Sequence, residues 1–253
     1  MMRRFTWKRL LLVVVILLVL GMVGFVVWAE TPPAPMDEAQ TALQSDAQVE
    51  VSTTQWIVFK PTDKEPTTGL IFYPGGRVDD RSYAPQLHAI AEQGYLTVIV
   101  PMPLNLAIFG VNQANDVIKA FPQIKHWAIA GHSLGGSMAA RFVQSNPTAV
   151  EGLVFWASYP DIDLSSLPVA VTSISGTKDG LSTPDKITST AHFLPADTTF
   201  VVIDGGDHAQ FGWYGPQAGD NPADISRDDQ QIKTVQATVD LLAKLDSAAP
   251  AGR

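Results

Sequence analysis

The sequence contains no cysteine. Disulfide bonds, thiolate metal sites and a cysteine nucleophile are therefore excluded, and the redox compartment stays open. Charge is also scarce, because only 17% of the 253 residues are charged whereas 46% are hydrophobic. A chain with so much apolar side chain is not disordered, and its length suits one domain with short additions.

Basic residues are few outside the N-terminus. Residues 1–29 contain four basic residues and no acidic one, so the rest of the chain carries 13 basic against 25 acidic residues. An acidic body of this kind is unsuited to the phosphate backbone of nucleic acids. The sequence also lacks zinc-ligand spacing, a G-x-G-x-x-G motif and a P-loop, so we expect no metal, no cofactor and no nucleic-acid partner.

A long apolar run lies near the N-terminus. From Leu10 to Trp28 no residue has a polar side chain apart from the indole of Trp28 itself. A helix of this length reaches about 28 Å, roughly the hydrocarbon thickness of a bilayer. The preceding basic residues, Arg3, Arg4, Lys8 and Arg9, favour the cytoplasmic side, which predicts a single-pass membrane protein with its C-terminal domain outside the cytoplasm.

A cleaved secretory signal is the alternative to this anchor, and secretion would then follow. Val27-Trp28-Ala29 resembles a small-x-small cleavage site. The apolar run is longer than the usual signal-peptide core, however, which favours an uncleaved anchor over cleavage. A buried core helix is the third interpretation, which the position behind a basic cluster disfavours.

The rest of the chain divides into three parts. Residues 30–47 are rich in proline and charge and predict an extended linker, residues 48–246 predict the folded domain, and residues 247–253 a C-terminal tail. An antiparallel hairpin is predicted over Gln48–Thr54 and Gln55–Lys60. Short apolar runs typical of strands buried on both faces follow: Leu70–Tyr73, Tyr95–Val100, Trp127–Ala130, Leu153–Ala157, Val169–Ile174 and Phe200–Ile203.

Helical patterns separate these runs. They are Tyr83–Glu92, Gln113–Ala120, Leu134–Gln144, Pro184–His192 and a last helix that follows the capping signal Ser226-x-x-Asp229, with Ile232, Val235, Val239 and Leu242 on one face. Alternating strands and helices predict an α/β fold, a mostly parallel central sheet with helices on both faces.

A nucleophile motif lies at one of these strand-to-helix turns. Gly131-His132-Ser133-Leu134-Gly135 is a G-x-S-x-G sequence directly after one predicted strand and directly before a helix. Such a sharp turn strains the serine backbone and projects its hydroxyl above the sheet, and glycines on either side avoid the clashes of a Cβ. A chance glycine-rich turn is the alternative. We assign no catalytic role to His132, which is expected to pack or hydrogen-bond locally.

A serine hydroxyl needs a base, and two later strand ends supply the missing partners. Asp179 follows the strand Val169–Ile174, and His208 follows Phe200–Ile203, both at the edge where α/β sheets build their sites. The order Ser133, Asp179, His208 is the one expected for a triad on this fold. Asp204 and Asp207 are rival acids, for which surface or turn-capping roles are the expectation.

From Thr68 to Lys244 the sequence resembles the α/β-hydrolase family. Beside the nucleophile motif, FYPGGR at 72–77, PMPLN at 101–105 and FGWYG at 211–215 are similar to small bacterial members without a cap domain, related to dienelactone hydrolases and sometimes called fold-5 hydrolases. Dienelactone hydrolase itself uses cysteine, and epoxide hydrolases and haloalkane dehalogenases use aspartate. Ser133 and the missing cysteines argue against all three chemistries.

The resemblance also implies an oxyanion hole. The family takes one backbone N–H from the residue after the nucleophile, here Leu134, and another from the loop after its third strand. In the sequence Pro74-Gly75-Gly76-Arg77 we expect Gly76 to supply this second donor, with Arg77 as the alternative.

Several apolar residues follow strand ends at the same edge. Substrate-binding roles are expected for Arg77, Leu104, Phe211 and Trp213, and Met102, Leu106, Ile108, Phe109 and Tyr214 lie in the same segments. Three interpretations stay open: an acyl pocket, ordinary packing under loops, and a membrane-facing patch. The segment Ser158–Pro168, where many relatives insert a lid, is short, which predicts an open, shallow site for small or exposed substrates.

The sequence therefore predicts a membrane-tethered or exported serine hydrolase that acts on an ester or similar acyl bond of a small molecule. Ser133 attacks, His208 moves the proton and Asp179 orients the imidazole. Two alternatives stay open: a peptidase or acyltransferase on the same triad, and a non-catalytic membrane-tethered binding protein. The sequence leaves the oligomeric state and the substrate open.

Overall fold

The computed structural model describes residues 7–247. Arg3 and Arg4 of the predicted basic cluster lie outside the described residues, and so does the predicted C-terminal tail from residue 248 onwards.

One eight-stranded sheet forms the centre of the domain. Its strands are β1 Val49–Ser52, β2 Ile57–Pro61, β3 Thr68–Tyr73, β4 Leu96–Ile99, β5 His126–His132, β6 Gly152–Trp156, β7 Ala170–Gly176 and β8 Thr199–Ile203. The order across the sheet is β1-β2-β4-β3-β5-β6-β7-β8. β1 pairs antiparallel with β2 and β2 with β4, and all later pairs are parallel. The predicted hairpin and mostly parallel sheet are confirmed.

Seven helices accompany the sheet within the described residues. They are α1 Trp7–Ala29, α2 Asp37–Thr41, α3 Ala84–Glu92, α4 Ala114–Ala120, α5 Leu134–Ser145, α6 Pro184–Thr190 and α7 Arg227–Ser247. Leu70 and Phe72 of β3 pack in one core with α3 and α7, whereas Ile71 of the same strand packs in a second core with α4 and α5. Alternate side chains of the central strands thus enter two separate cores, one on each face of the sheet.

β8 differs from the predicted pattern. Its sequence suggested a strand buried on both faces, but Phe200 and Val202 are exposed. The reason is position, since β8 pairs only with β7 and lies at the edge of the sheet. Its carboxyl end still reaches the edge that carries His208, as predicted.

The segment between α1 and β1 is folded against the domain and is not extended throughout. Residues 37–41 form α2, whose Ala39 is fully buried, and the Met36 amide donates to the Trp213 carbonyl at 2.8 Å. The Asp46 carboxylate caps β1 by accepting from the amides of Gln48 and Val49, each at 2.8 Å. Proline and charge suggested a spacer, but these few specific hydrogen bonds hold the segment on the surface.

α1 is, among residues 7–247, the one helix long and apolar enough to cross a membrane. Its side chains are exposed along its length, and only Ala29 at its end is buried. The helix therefore projects from the domain and is fastened to it at one end.

Candidate active site

Ser133 lies at the turn between β5 and α5. Its backbone has φ 51° and ψ −121°, a conformation that non-glycine residues rarely adopt. The Ser133 amide donates to the Trp156 carbonyl at 3.0 Å, and its own carbonyl accepts from the Ser158 hydroxyl at 2.6 Å. A Cβ on Gly135 would overlap the carbonyl oxygens of Tyr73 and Pro74, so the motif glycine is sterically required. The structure thus contains the strained strand-to-helix turn that the motif predicts.

Asp179 and His208 form a buried pair after β7 and β8. His208 Nδ1 lies 2.9 Å from Asp179 Oδ2, and both side chains are fully buried. The other carboxylate oxygen, Oδ1, accepts from the amides of Leu181 at 2.8 Å and Ser182 at 2.6 Å. Three donors hold the Asp179 carboxylate in place. The carboxylate therefore orients the imidazole with Nδ1 as the hydrogen-bond donor, and Nε2 takes no part in this pair.

The free imidazole nitrogen has no partner. His208 Nε2 is buried and makes no hydrogen bond within residues 7–247, to Ser133 Oγ or to any other group. A nitrogen in this state is available to accept a proton, and catalytic hydrogen bonds of this kind often form only when substrate is bound.

Asp204 and Asp207, the rival acids, do not contact the imidazole of His208. Asp204 is exposed and accepts from the Thr177 hydroxyl at 3.2 Å. Asp207 accepts from the Gln210 amide at 2.8 Å, and burial raises the pKa of its carboxyl. Asp204 thus has the surface role and Asp207 the turn-capping role expected from the sequence.

Two free backbone amides flank the nucleophile. Within the described part of the chain, neither the Gly76 nor the Leu134 N–H donates a hydrogen bond, whereas Gly75 donates to Tyr83 Oη at 3.0 Å and Arg77 to the Asn105 carbonyl at 2.8 Å. A Cβ on Gly76 would lie 3.1 Å from Leu134 Cδ2, so the two residues are neighbours. Leu134 also begins α5, where the helix dipole favours negative charge. The geometry fits Gly76 better than Arg77 as the second oxyanion donor.

His132 packs against His208, the predicted base. Its ring centroid lies 4.6 Å from that of His208, and its Nδ1 lies 2.8 Å from Tyr83 Oη. Burial, assisted by the adjacent His208, holds the pKa of His132 well below its ordinary value, so the ring is neutral. Its position in the motif indicated local packing, but only the fold brings it against His208 and Tyr83.

Asp220 links the loops that carry Asp179 and His208. One carboxylate oxygen accepts from the Gly180 amide and the other from the Ala209 amide, both at 2.9 Å. These amides directly follow Asp179 and His208 in the chain. Nothing in the sequence around Asp220 signals this role, because the contacts cross 40 and 11 residues.

A cavity of about 440 Å³ adjoins the oxyanion loop, the loop Pro74–Arg77. Its walls include Trp28, Gly76, Arg77, Leu106 and Tyr214. Arg77 is thus the one member of the predicted substrate-binding set that lines it. The other three do not line this cavity: Leu104, Phe211 and Trp213.

These three residues have other surroundings. Phe211 is fully buried and stacks on His132 with ring centroids 6.0 Å apart, so it belongs to the core. The Trp213 carbonyl accepts a hydrogen bond from the Met36 amide. The Arg227 guanidinium lies 5.5 Å from the centroid of the Trp213 ring. Leu104 sits at φ 56° in a tight turn, Pro103–Asn105, where its backbone shapes the loop. Sequence position alone could not distinguish residues that pack inside the domain from residues that line the cavity.

One group of side chains within residues 7–247 is compact enough to hold a cation. Donor atoms of Asp46, His88 and Glu92 lie within 4.8 Å of one another. His88 Nε2 already pairs with Asp46 Oδ2 at 3.0 Å, which accounts for this proximity. None of the three belongs to the triad or lines the cavity beside Gly76.

Comparison with known proteins agrees with this architecture. The sequence profile described as the alpha/beta hydrolase family matches residues 69–232. No curated protein sequence matches the chain significantly.

Several solved structures share the fold. A thermophilic esterase of Thermogutta terrifontis, solved with butyrate bound, is 15% identical, with a TM-score of 0.58 over 81% of this chain and 97% of the esterase. A candidate dienelactone hydrolase of Klebsiella pneumoniae is 14% identical, with a TM-score of 0.57 over 75% and 93% of the two chains. A CIB-like hydrolase of Thermoplasma acidophilum is 16% identical, with a TM-score of 0.58 over 78% and 98%. At these identities the likeness concerns the fold.

Proposed function

Because the chain belongs to the alpha/beta hydrolase family, we propose that it is a serine hydrolase that cleaves an ester or a similar acyl bond. Ser133 is the nucleophile, His208 the general base and acid, and Asp179 the carboxylate that orients the imidazole. The observation that carries the proposal is the fully buried Asp179–His208 pair, whose Nε2 has no other hydrogen-bond partner within the described residues.

The reaction follows in two steps. Ser133 Oγ attacks the carbonyl carbon while its proton passes to His208 Nε2, and the charge on the carbonyl oxygen is met by the Gly76 and Leu134 amides. The carbon–oxygen bond of the ester then breaks and His208 returns the proton to the departing alcohol. Water, activated by the same imidazole, hydrolyses the acyl-enzyme and releases a carboxylic acid.

The apolar helix α1 supports a membrane location. We propose that it remains attached and spans the bilayer once, with the catalytic domain outside the cytoplasm. The contacts at its end favour an uncleaved anchor over a cleaved signal, since Ala29 is fully buried against the domain.

A fluorophosphonate probe tests the serine chemistry directly. The full chain in detergent is labelled beside Ser133→Ala, His208→Ala and Asp179→Asn. We expect Ser133→Ala to abolish labelling and His208→Ala to reduce it severely, while Asp179→Asn lowers its rate by roughly 10³–10⁴-fold, because the imidazole loses its orientation. Ser137→Ala is the matched control, since Ser137 lies on the same helix and donates to the Tyr159 carbonyl.

A folded wild-type chain that stays unlabelled would contradict the proposal and favour a non-catalytic binding protein. Short p-nitrophenyl esters compared with peptide amides, and with transfer to added alcohols, separate an esterase from a peptidase or an acyltransferase.

A further inference from the structure

The end of α1 is fastened to the oxyanion loop. Arg77 donates from Nε to the Trp28 carbonyl at 2.8 Å and from a terminal nitrogen to the Thr31 carbonyl at 3.1 Å. Asn105 donates to the Ala29 carbonyl at 3.1 Å. The Arg77 guanidinium also lies 4.2 Å from the centroid of the Trp28 ring. Side chains of the catalytic domain therefore cap the last carbonyls of the apolar helix.

This attachment fixes the position of the cavity relative to a bilayer. Trp28 is the last residue of the apolar run, and tryptophan at such an end lies at the membrane–water interface. The same side chain forms a wall of the cavity beside Gly76. Trp28 marks the point where the helix would leave the lipid. The oxyanion loop and the cavity lie close to that point, because the side chain of Arg77 in this loop binds the Trp28 carbonyl.

Two exposed apolar side chains follow Asn105 closely in the chain. Ile108 is 48% and Phe109 52% exposed, on the turn Ala107–Phe109 that follows Asn105. Outside α1, the other exposed large apolar side chains of the described residues are Phe200, Val202 and Ile232. Two of the five thus lie three and four residues after Asn105, which binds the end of the helix, and lipid at the bilayer surface would cover them.

We propose that the domain rests with this loop on the bilayer surface and takes acyl esters of membrane lipids from the adjoining leaflet as its substrates. This inference rests on the proposed serine hydrolase function. The lipid chain stays in the bilayer and the ester enters along the cavity beside Gly76. Ser133 and His208 do not line that cavity, so the ester carbonyl lies beyond it, at Ser133 and the Gly76 and Leu134 amides. Hydrolysis breaks the ester carbon–oxygen bond, and water completes the acid and the alcohol.

A lipid substrate is compatible with a domain that has no cap over its sheet. The segment between β6 and β7 is short and forms no cap domain. A soluble enzyme would need a long apolar channel to bind a lipid chain, whereas a site at the bilayer surface leaves that chain in its own solvent.

The orientation can be measured without any activity. Because the chain has no cysteine, Phe109→Cys and Phe200→Cys each create a single site for an environment-sensitive fluorophore. In phosphatidylcholine vesicles we expect a quencher on the lipid chains to quench the label at 109, and a water-soluble quencher to reach the label at 200. Equal quenching of the two labels by lipid would overturn the orientation.

The substrate class is tested with two esters that share a leaving group. The vesicle-embedded full chain is assayed with p-nitrophenyl acetate in water and p-nitrophenyl palmitate in the bilayer. We expect the double variant Ile108→Ser, Phe109→Ser to slow palmitate hydrolysis by about tenfold or more. The free energy gained by burying either side chain in lipid corresponds to at least about a tenfold change in rate. Acetate hydrolysis should stay within about twofold.

Phe200→Ser with Val202→Ser is the matched control, since it removes two exposed apolar side chains from the edge strand β8. Equal losses of palmitate hydrolysis in the two double variants, or none in either, would overturn the lipid substrate. A wild-type chain that hydrolyses neither ester would contradict the proposed function itself, and the quenching result then decides the orientation separately.

Discussion

The hydroxyl of Tyr83 connects the oxyanion loop to the histidines. It accepts from the Gly75 amide at 3.0 Å and lies 2.8 Å from His132 Nδ1, and the side chain is fully buried. Gly75 directly precedes the proposed oxyanion donor Gly76. One buried atom thus holds both the loop and the ring that supports His208.

We expect Tyr83→Phe to lower kcat about tenfold with little change in KM, because the Gly76 amide loses its fixed position. It should also destabilise the protein by about 1–3 kcal/mol, since buried polar groups lose their partner. Esterase kinetics and chemical denaturation measure the two effects.

Tyr73→Phe is the matched control for this variant. Tyr73 is also fully buried, and its hydroxyl accepts from the Ala114 amide at 2.9 Å and donates to the Val111 carbonyl at 2.8 Å. A similar loss of stability with unchanged kcat is expected. If both variants lowered kcat alike, Tyr83 would have no special part in positioning the loop.

Asp80 makes stability depend on pH. Burial, and then the negative charge of Asp79, raises its pKa to about 6. The folded state therefore binds this proton more tightly than the unfolded state does, so the free energy of unfolding falls as pH rises from about 4 to about 6. Asp80→Asn removes this penalty, and we expect it to raise the Tm by about 2–4 °C at neutral pH.

The gain should shrink as the pH falls from about 6 to about 4 and be lost below that, where wild-type Asp80 is protonated in both states. Thermal unfolding at several pH values checks this, with the exposed Asp197→Asn as control. A gain that does not change with pH would refute the explanation.

Residues with a local signal could be predicted from the sequence. Ser133 sits in a motif, and Asp179 and His208 follow strand ends, so their meeting follows from the parallel sheet. Trp28 and Tyr83 carry no such signal. Their partners, Arg77 and His132, lie 49 residues away in each case, and only the folded chain brings them together.

Helix α7 illustrates why elements were predicted better than their faces. Its start was predicted correctly, and the Ser226 hydroxyl accepts from the Asp229 amide at 3.1 Å. Ile232, predicted on the buried face, is exposed instead. The buried polar residues of α7 explain this difference, because Gln230 holds the Asp207 backbone through two hydrogen bonds and Thr238 accepts from Trp156 Nε1. A pattern of apolar residues does not reveal a buried helix face that contains polar side chains.

The loops after β7 and β8 depend on each other through Asp220. We expect Asp220→Ala to lower kcat by about 10–100-fold with a small effect on KM, because Asp179 and His208 lose their common support. Asp220→Asn, which keeps one acceptor oxygen, should recover part of the loss. Steady-state kinetics with a short ester measure both.

Asp204→Ala is the control for these variants, since Asp204 lies in the same loop as His208 and its carboxylate accepts from the Thr177 hydroxyl, not from the Gly180 or Ala209 amide. An unchanged kcat in Asp220→Ala with intact folding would contradict the role of the bridge.

The charge distribution of the whole chain predicts its orientation in a membrane. With basic residues before the apolar run Leu10–Trp28 and an acidic body after it, we expect a C-terminal reporter that is active only outside the cytoplasm to be active in a bacterial host. A cytoplasm-dependent reporter should be inactive. Replacing Arg3, Arg4, Lys8 and Arg9 with Gln should weaken this preference. The mass of the membrane-extracted chain tests in parallel whether α1 is retained.

A matched variant changes four exposed basic residues of the body to Gln and should leave the topology unchanged. These residues are Lys119, Lys125, Lys233 and Lys244. Loss of orientation in this variant, but not in the N-terminal one, would contradict the assignment.

The hydrogen bonds from Arg77 to the end of α1 limit the space in which the domain can move and encounter a substrate. A catalytic domain on a long flexible linker would sample a volume of water, whereas this one is confined to a thin layer at the lipid surface. For the proposed lipid substrates, encounters then occur in two dimensions, by lateral diffusion of the enzyme and the lipid in the same leaflet. The surface density of ester molecules sets the rate of catalysis, and diluting a suspension of loaded vesicles leaves the turnover of each enzyme unchanged.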